Sequence, residues 1–351
     1  MAFQNNTTEL NYTYGWINSN RGSVAEIFGM ICTKYIAPPI CVFGILGNSF
    51  SLVVLLRKSL KQSPYINLKA LTIVNLLALL LSFPYMIYGE NSREYGWMWY
   101  NIYIFIPFVS FLTATSIWIV VLMTIERFMY VKFPLRAKGQ CGRTGTITRI
   151  FILSLLSFII SIHKFFQYEL DSVKVRYKKT SFTKSEMSHV IEITIMVIIH
   201  FIPLMVLVVV NTLLVSTVRR ARTRRLTLNL RNNQEGGWQK DERRFTVTLV
   251  SIVILNICFI GPTTITDILY LSTIHRHNND IITTISVLRQ FSNVLLWCCL
   301  SFNFVLFCTF NKRFLQAVKD TLQFHRFHRF RRNRSMKSSE MTFLRSTNFD
   351  S

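Results

Sequence analysis

Seven stretches of the chain, about residues 30 to 57, 65 to 89, 100 to 130, 147 to 166, 189 to 218, 244 to 271 and 281 to 308, run almost without charge, and basic residues crowd between them. Each holds roughly 20 or more residues, enough as a helix to cross a hydrocarbon core about 30 Å thick. Apolarity is continuous rather than alternating. Backbone polar groups in lipid must be bonded within the segment, so the predicted elements are helices and the fold class is an all-α membrane protein, a seven-helix bundle. Pro38, Pro39, Pro84, Pro107, Pro203 and Pro262 fall inside these spans and predict kinks, not breaks. Beyond the seventh span, Phe310, Phe314, Val318 and Leu322 recur every four residues, the pattern of a short interfacial helix with its apolar face down. The chain thus divides into an N-terminal segment (1–29), the bundle (30–308), an amphipathic juxtamembrane helix (309–324) and a basic tail (325–351).

Composition agrees. Half of the 351 residues are hydrophobic and only 16% are charged, too apolar for a soluble domain of this size. A net charge of +23 in a soluble chain would suggest nucleic acid, but here its placement gives another meaning. Of the 40 Lys and Arg, about 29 fall on one side of the seven spans and 11 on the other, which predicts the N-terminus outside and the C-terminus in the cytoplasm of a plasma-membrane protein, with no nucleic-acid partner. Acceptor triplets for N-glycosylation at Asn5, Asn6 and Asn11 point the same way. The outer loop "SVKVRYKKTSFTK" breaks the charge rule, being basic although external. Most of the seven cysteines lie in apolar spans and no external pair stands out, so no external disulfide is expected. Neither a phosphate-binding glycine loop, a nucleophile elbow nor zinc-ligand spacing appears, so the chain reads as a non-enzyme without metal or cofactor, and His163 and His200 as structural polar residues.

The order of motifs resembles the rhodopsin-like, class A, G-protein-coupled receptors over nearly the whole chain. "GILGNSFSLVVLL" is similar to their first helix, "LTIVNLLALLLSFP" to their second, and "TIERFMYVKFPLRAK" to the end of the third and the loop after it. Pro203 and Pro262 suit the prolines of the fifth and sixth helices, and "SFNFVLFCTFNKRF" the seventh running into a short amphipathic helix. Within that class, "VVVNTLLVSTVRRARTRR" and "NFVLF" resemble invertebrate FMRFamide-type neuropeptide receptors. The resemblance implies a heterotrimeric G protein as inner partner, with arrestin on the tail and an extracellular peptide or small molecule as ligand. It also marks Glu126, Arg127, Glu242 and Pro134 as the coupling residues. Helix counting supports the geometry: the 20 residues from Glu242 to Pro262 span about 30 Å and the 25 from Ile102 to Arg127 about 37 Å, so Glu242 reaches the depth of Arg127. A guanidinium there can fork onto Glu126 and across to Glu242, a clasp that an agonist would open.

The departures from the family pattern are many. Ile102 stands where a disulfide-forming cysteine is usual, Asn75 replaces the second-helix aspartate, and Ile260 and Phe307 replace switch aromatics. Asn48, Asn75 and Asn303 offer a neutral hydrogen-bond network across three helices, or three side chains each satisfied locally. Val109 occupies the place of the amine-binding aspartate, which disfavours monoamines. The outer residues expected to line a ligand pocket are Tyr85, Tyr88, Thr113, Glu192, Asp267, Tyr270, Arg289 and Asn293. Asp267 or Glu192 would take the cation of a short amidated peptide, unless Asp267 and Arg289 pair with each other. The basic segments "RRARTRR" and "FHRFHRFRR" suit anionic membrane lipid. A chemosensory serpentine receptor is the competing reading, and a seven-helix transporter, which would need an internal repeat, a more distant one.

Overall fold

Helical backbone continues past several of the apolar spans, because apolarity marks only the hydrocarbon depth while i→i−4 bonding runs on into the polar rim. The computed structural model describes residues 27–57, 63–88, 94–171, 176–227, 236–273, 279–310, 314–316 and 318–319. In it follow α1 (Ile27–Leu55), α2 (Ser63–Tyr88), α3 (Tyr95–Lys132), α4 (Arg143–Phe166), α5 (Glu186–Arg220, helical to Thr227), α6 (Gly236–Thr273) and α7 (Asn279–Phe310). Among the described residues, six of them carry a stretch long and apolar enough to cross a membrane, and α6 carries a shorter one, Val253–Leu269. The result is a seven-helix bundle in which α1 packs on α2 and α7, α6 on α7, and α3 runs through the middle against α2, α4 and α5. The two ends of the bundle are named below for Trp97 and Arg127. Asn5, Asn6 and Asn11, and the tail, lie outside the described residues.

The prolines are accommodated in two ways. A proline lacks an N–H and its ring collides with the carbonyl four residues back, so an α-helix must widen or bend around it. In α1, α3 and α5 it widens: π-helical turns Ile31–Ile36, Asn101–Phe105 and Val197–Phe201 immediately precede the residue before Pro38, Pro107 and Pro203. In each case that residue donates five back, Ala37 to the Cys32 carbonyl, Ile106 to Asn101 and Ile202 to Val197. Pro84 and Pro262 sit within helical runs of α2 and α6 instead. Beside Pro262, the Thr263 hydroxyl reaches the Ser292 carbonyl of α7 at 3.3 Å and the Thr266 hydroxyl the Ser292 Oγ at 3.3 Å, polar contacts that hold α6 to α7 at the proline.

Small residues set the α1–α7 seam. A side chain at Gly44 would collide with Ser301 of α7 and come within 2.7 Å of Leu79 of α2, so only glycine lets the three backbones approach. Ser301 donates to the Ile40 carbonyl at 3.1 Å, and Asn48 Nδ2 to the Gly44 and Leu300 carbonyls at 2.8 and 3.1 Å. Gly44→Val overpacks this seam and is expected to cost about 1–3 kcal/mol, read as a lower melting temperature of the detergent-purified protein. An unchanged melting temperature would remove the seam from the list of determinants.

Two elements escape the hydrophobic pattern altogether. The loop after α4 forms an antiparallel hairpin, β1 (Tyr168–Asp171) and β2 (Arg176–Lys179), in which Glu169 faces Lys178 with a 3.0 Å ion pair. The basic outer loop is fixed at its base, where the Thr180 and Thr183 hydroxyls both donate to the Gln167 carbonyl and the Thr180 N–H adds a third bond at 3.2 Å. Ser185 then caps α5 by accepting from the Ser188 N–H. After α3, Phe133 leaves helical geometry (φ −132°, ψ 63°) ahead of Pro134, which opens a short helix, Pro134–Gln140. Beyond α7, Phe314 and Val318 are buried with Val54, Leu55, Tyr65 and Leu68, so this apolar face packs on the bundle rather than facing lipid as expected. The side chains of Phe310 and Leu322 lie outside the described ones.

Candidate functional site: the two polar ends of the bundle

Glu126 and Arg127 lie near the end of the long buried face of α3, 5% and 6% exposed. A buried carboxylate needs partners on most of its lone pairs. Glu126 finds them on two other helices. Asn67 of α2 donates to Oε2 at 2.7 Å, while Thr146 Oγ1 at 3.1 Å and Arg149 of α4, through Nη2 at 2.6 Å and Nε at 3.2 Å, converge on Oε1. Arg149 also donates to the Gln140 carbonyl at 3.1 Å, and Tyr130 to the Cys141 carbonyl at 2.8 Å, so the same cluster secures the loop after α3. Burial and the nearby Glu126 charge push the Cys141 thiol up, against the opposing pull of Arg149.

From the sequence, Arg127 was expected to fork onto Glu126 and across to Glu242; in the structure Glu126 has an ion pair with Arg149 of α4 that the sequence did not suggest. Arg149, Thr146 and Asn67 were missed. The only signal was an arginine one turn past a threonine within the first turns of α4, which reads as an ordinary basic helix start. Glu242 is on α6, but its side chain lies outside the described ones. Pro134 begins the loop helix, and the Leu135 beside it is 90% exposed, the most exposed large apolar side chain among the described residues.

The three asparagines are buried but do not bond to one another among the described residues. Asn48 ties α1 to α7, as above, and Asn75 accepts from the Ser116 hydroxyl of α3 at 2.7 Å. Asn48 Oδ1, Asn75 Nδ2 and Asn303 Oδ1 are left without a protein partner. Instead of a single network, Asn48 and Asn75 make separate links between helices. An unpredicted one, Asn256 of α6, accepts a Cys299 thiol of α7 at 3.5 Å.

At the Trp97 end, Tyr85 stacks on Phe105 at 4.4 Å between ring centroids and Tyr88 tilts against Trp97 at 5.0 Å, so α2 and the start of α3 share an aromatic wall. Both acids expected to meet a ligand cation already have partners. Asp267 of α6 lies 3.6 Å from Arg289 Nε of α7, and Glu192 of α5 accepts from Gln167 Nε2 at 2.6 Å. Ile102 is buried, Asn293 half-buried, and the Thr113 hydroxyl is buried without a partner. Tyr270 lies outside the described side chains. His163 fills its expected structural role through Nδ1, 2.8 Å from the Ile160 carbonyl, but its Nε2 and the Nδ1 of His200 have no partner.

Seven helices, a buried acid–arginine pair at one end of the third and a polar, aromatic cluster at the other are the layout of a membrane receptor. The profile of the seven-transmembrane receptors of the rhodopsin family matches residues 47–303, most of the chain. The chain belongs to the rhodopsin family. It is therefore a multi-pass membrane receptor and not an enzyme. This receptor is 24% identical over 245 residues to the sex peptide receptor-related protein 2 of Caenorhabditis elegans, covering 62% of its own length and 54% of that protein's. It is 25% identical over 136 residues to the FMRFamide peptide receptor frpr-18 of the same organism, covering 37% and 32%. Against the FMRFamide receptor of Drosophila melanogaster it is 23% identical over 299 residues, covering 78% and 50%. The matches thus span about half or less of these relatives.

Proposed function

We propose that this receptor binds a short extracellular peptide at its Trp97 end and activates a heterotrimeric G protein at its Arg127 end. The observation that carries the reading is the buried Glu126–Arg127 pair, set on the most buried helix beside a loop helix that presents Leu135 to solvent. In this reading Arg127 and Glu242 form the resting clasp between α3 and α6, and a ligand shifts the population toward its open form. The names of relatives as FMRFamide and sex peptide receptors favour a peptide ligand, with an amidated aromatic end set against the wall of Tyr85 and Tyr88. The excess of Lys and Arg on the Arg127 side supports an inner location for that end in the plasma membrane. Arrestin and anionic lipid are proposed as further partners of the basic segments there.

A reporter of Gα–Gβγ dissociation in cells expressing the full chain, screened against amidated peptides, tests the proposal. A saturable, ligand-dependent signal is expected. Surface-expressed receptor that answers no peptide but answers small volatile or soluble molecules would replace it with the chemosensory reading, which the substitutions at Asn75, Ile102 and Ile260 favour.

A further inference from the structure

Gln167 stands between the 3₁₀ turn Ile162–Phe166 that ends α4 and the first residue of β1, and it is only 5% exposed. A buried glutamine needs partners for its main chain and for its amide alike. Its carbonyl is where the hairpin closes at the base, accepting from the Thr180 N–H at 3.2 Å and from the Thr183 hydroxyl. Its side chain serves another element: Nε2 donates to Glu192 Oε1 of α5 at 2.6 Å. A carboxylate accepts and does not donate, so the amide nitrogen rather than its oxygen faces Glu192, and the bond is of the short, charge-assisted kind. One buried residue thus belongs to the hairpin through its backbone and to α5 through its side chain.

The hairpin also reaches the opposite wall of the Trp97 end. β1 lies against the π turn Asn101–Phe105 of α3, whose Phe105 stacks on Tyr85. Strand alternation puts Tyr168 and Leu170 on a half-buried face and the paired Glu169 and Lys178 on the exposed one. On α5, Glu192 precedes the π turn Val197–Phe201, and helices bend at such turns. The Gln167 amide therefore grips α5 on the Trp97 side of a bending point.

We propose that the Gln167–Glu192 bond is a strap that fastens the hairpin to the Trp97-side end of α5, so that the two move as one body. The functional consequence rests on the reading of this end as the ligand site: a ligand that displaces the hairpin carries the first turns of α5 with it, about the π turn. Gln167 is then a positioning residue, which acts on the ligand site through the hairpin and α5.

Amide hydrogen exchange of the full-length, ligand-free receptor in nanodiscs, read by mass spectrometry over Tyr168–Lys179 and Glu186–Met196, tests the strap. Gln167→Ala keeps the carbonyl that closes the hairpin and removes only the amide, and both segments are expected to exchange roughly tenfold faster or more, the effect of losing a hydrogen bond to a charged group. Glu192→Ala should match it, and the double variant should exchange no faster than either single one, because both remove the same bond. Glu192→Gln retains an acceptor oxygen and should stay closer to the wild type than Glu192→Ala does. Unchanged exchange in Gln167→Ala, acceleration confined to one of the two segments, additive effects in the double variant, or a Glu192→Gln as fast as Glu192→Ala would overturn the strap. Neither ligand nor G protein takes part, so a silent signalling assay beside coupled exchange would remove the proposed function and leave the strap.

Discussion

Arg149→Ala is expected to destabilise the receptor more than the loss of any other single loop-facing arginine, and Glu126→Gln in the same chain is expected to recover most of the loss. Glu126 is buried and accepts four hydrogen bonds, two of them from Arg149, whose own side chain is 35% exposed. Removing one partner of a fully buried pair costs about 3–5 kcal/mol, chiefly because a charge is stranded. Solvent at the guanidinium screens part of this, so about 1–3 kcal/mol is the expected range here. The neutral glutamine strands no charge, and with its oxygen turned to accept from Asn67 its amide N–H can donate to the Thr146 hydroxyl, which is why the double variant should melt above the single one. Thermal unfolding of the four proteins of the cycle measures the coupling. If the single and double variants melt alike, the ion pair contributes nothing and Arg149 serves only to bond the Gln140 carbonyl.

The second large effect is on signalling. Arg127→Ala should abolish ligand-dependent G-protein dissociation at unchanged surface expression, because the proposed inner partner would lose the cation at the centre of the opened face. Glu242→Gln should instead raise the basal signal, by weakening the clasp at rest while leaving Arg127 in place. A charge-assisted bond contributes about 1.5–3 kcal/mol, so a rise in the active population of roughly tenfold or more is expected. Undiminished signalling in Arg127→Ala would sink the assigned role, and an unaltered baseline in Glu242→Gln would confine Arg127 to contacts outside α6. Because Arg149 of α4 is paired with the Glu126 carboxylate, the stability effects above are read on α4 and the signalling effects on Arg127 and Glu242, so the two can be measured separately.

The seven helices were readable because membrane spans are set by length and apolarity, both local properties. Prolines within the spans were readable for the same reason, though which of them would follow a π turn was not: Pro38, Pro107 and Pro203 do, while Pro84 and Pro262 sit within α-helical runs. The hairpin Tyr168–Lys179 was hidden because its strands are short and charged, paired by cross-strand charge and hydroxyl bonds rather than by an apolar face. Site residues on α3 were legible through a motif. Their partners were not, because which face of α4 turns toward Glu126 depends on helix rotation, which no spacing within α4 encodes. The pairing of Asp267 with Arg289 stood as one of two alternatives in the sequence, and geometry chose between them.

The three π turns have a consequence for how this chain can diverge. Each adds one residue to a helical turn, and one residue corresponds to about 100° of helix rotation. A single deletion within Ile31–Ile36, Asn101–Phe105 or Val197–Phe201 can therefore restore ordinary winding and swing every side chain on the Trp97 side of it to a new direction, while the Arg127 half of the same helix stays where it is. Three helices thus carry an adjustable joint between a Trp97-side end that can be re-aimed and a remainder that is held. Gene duplicates of such a chain can change what they recognise by indels as small as one codon without disturbing the machinery at the opposite end.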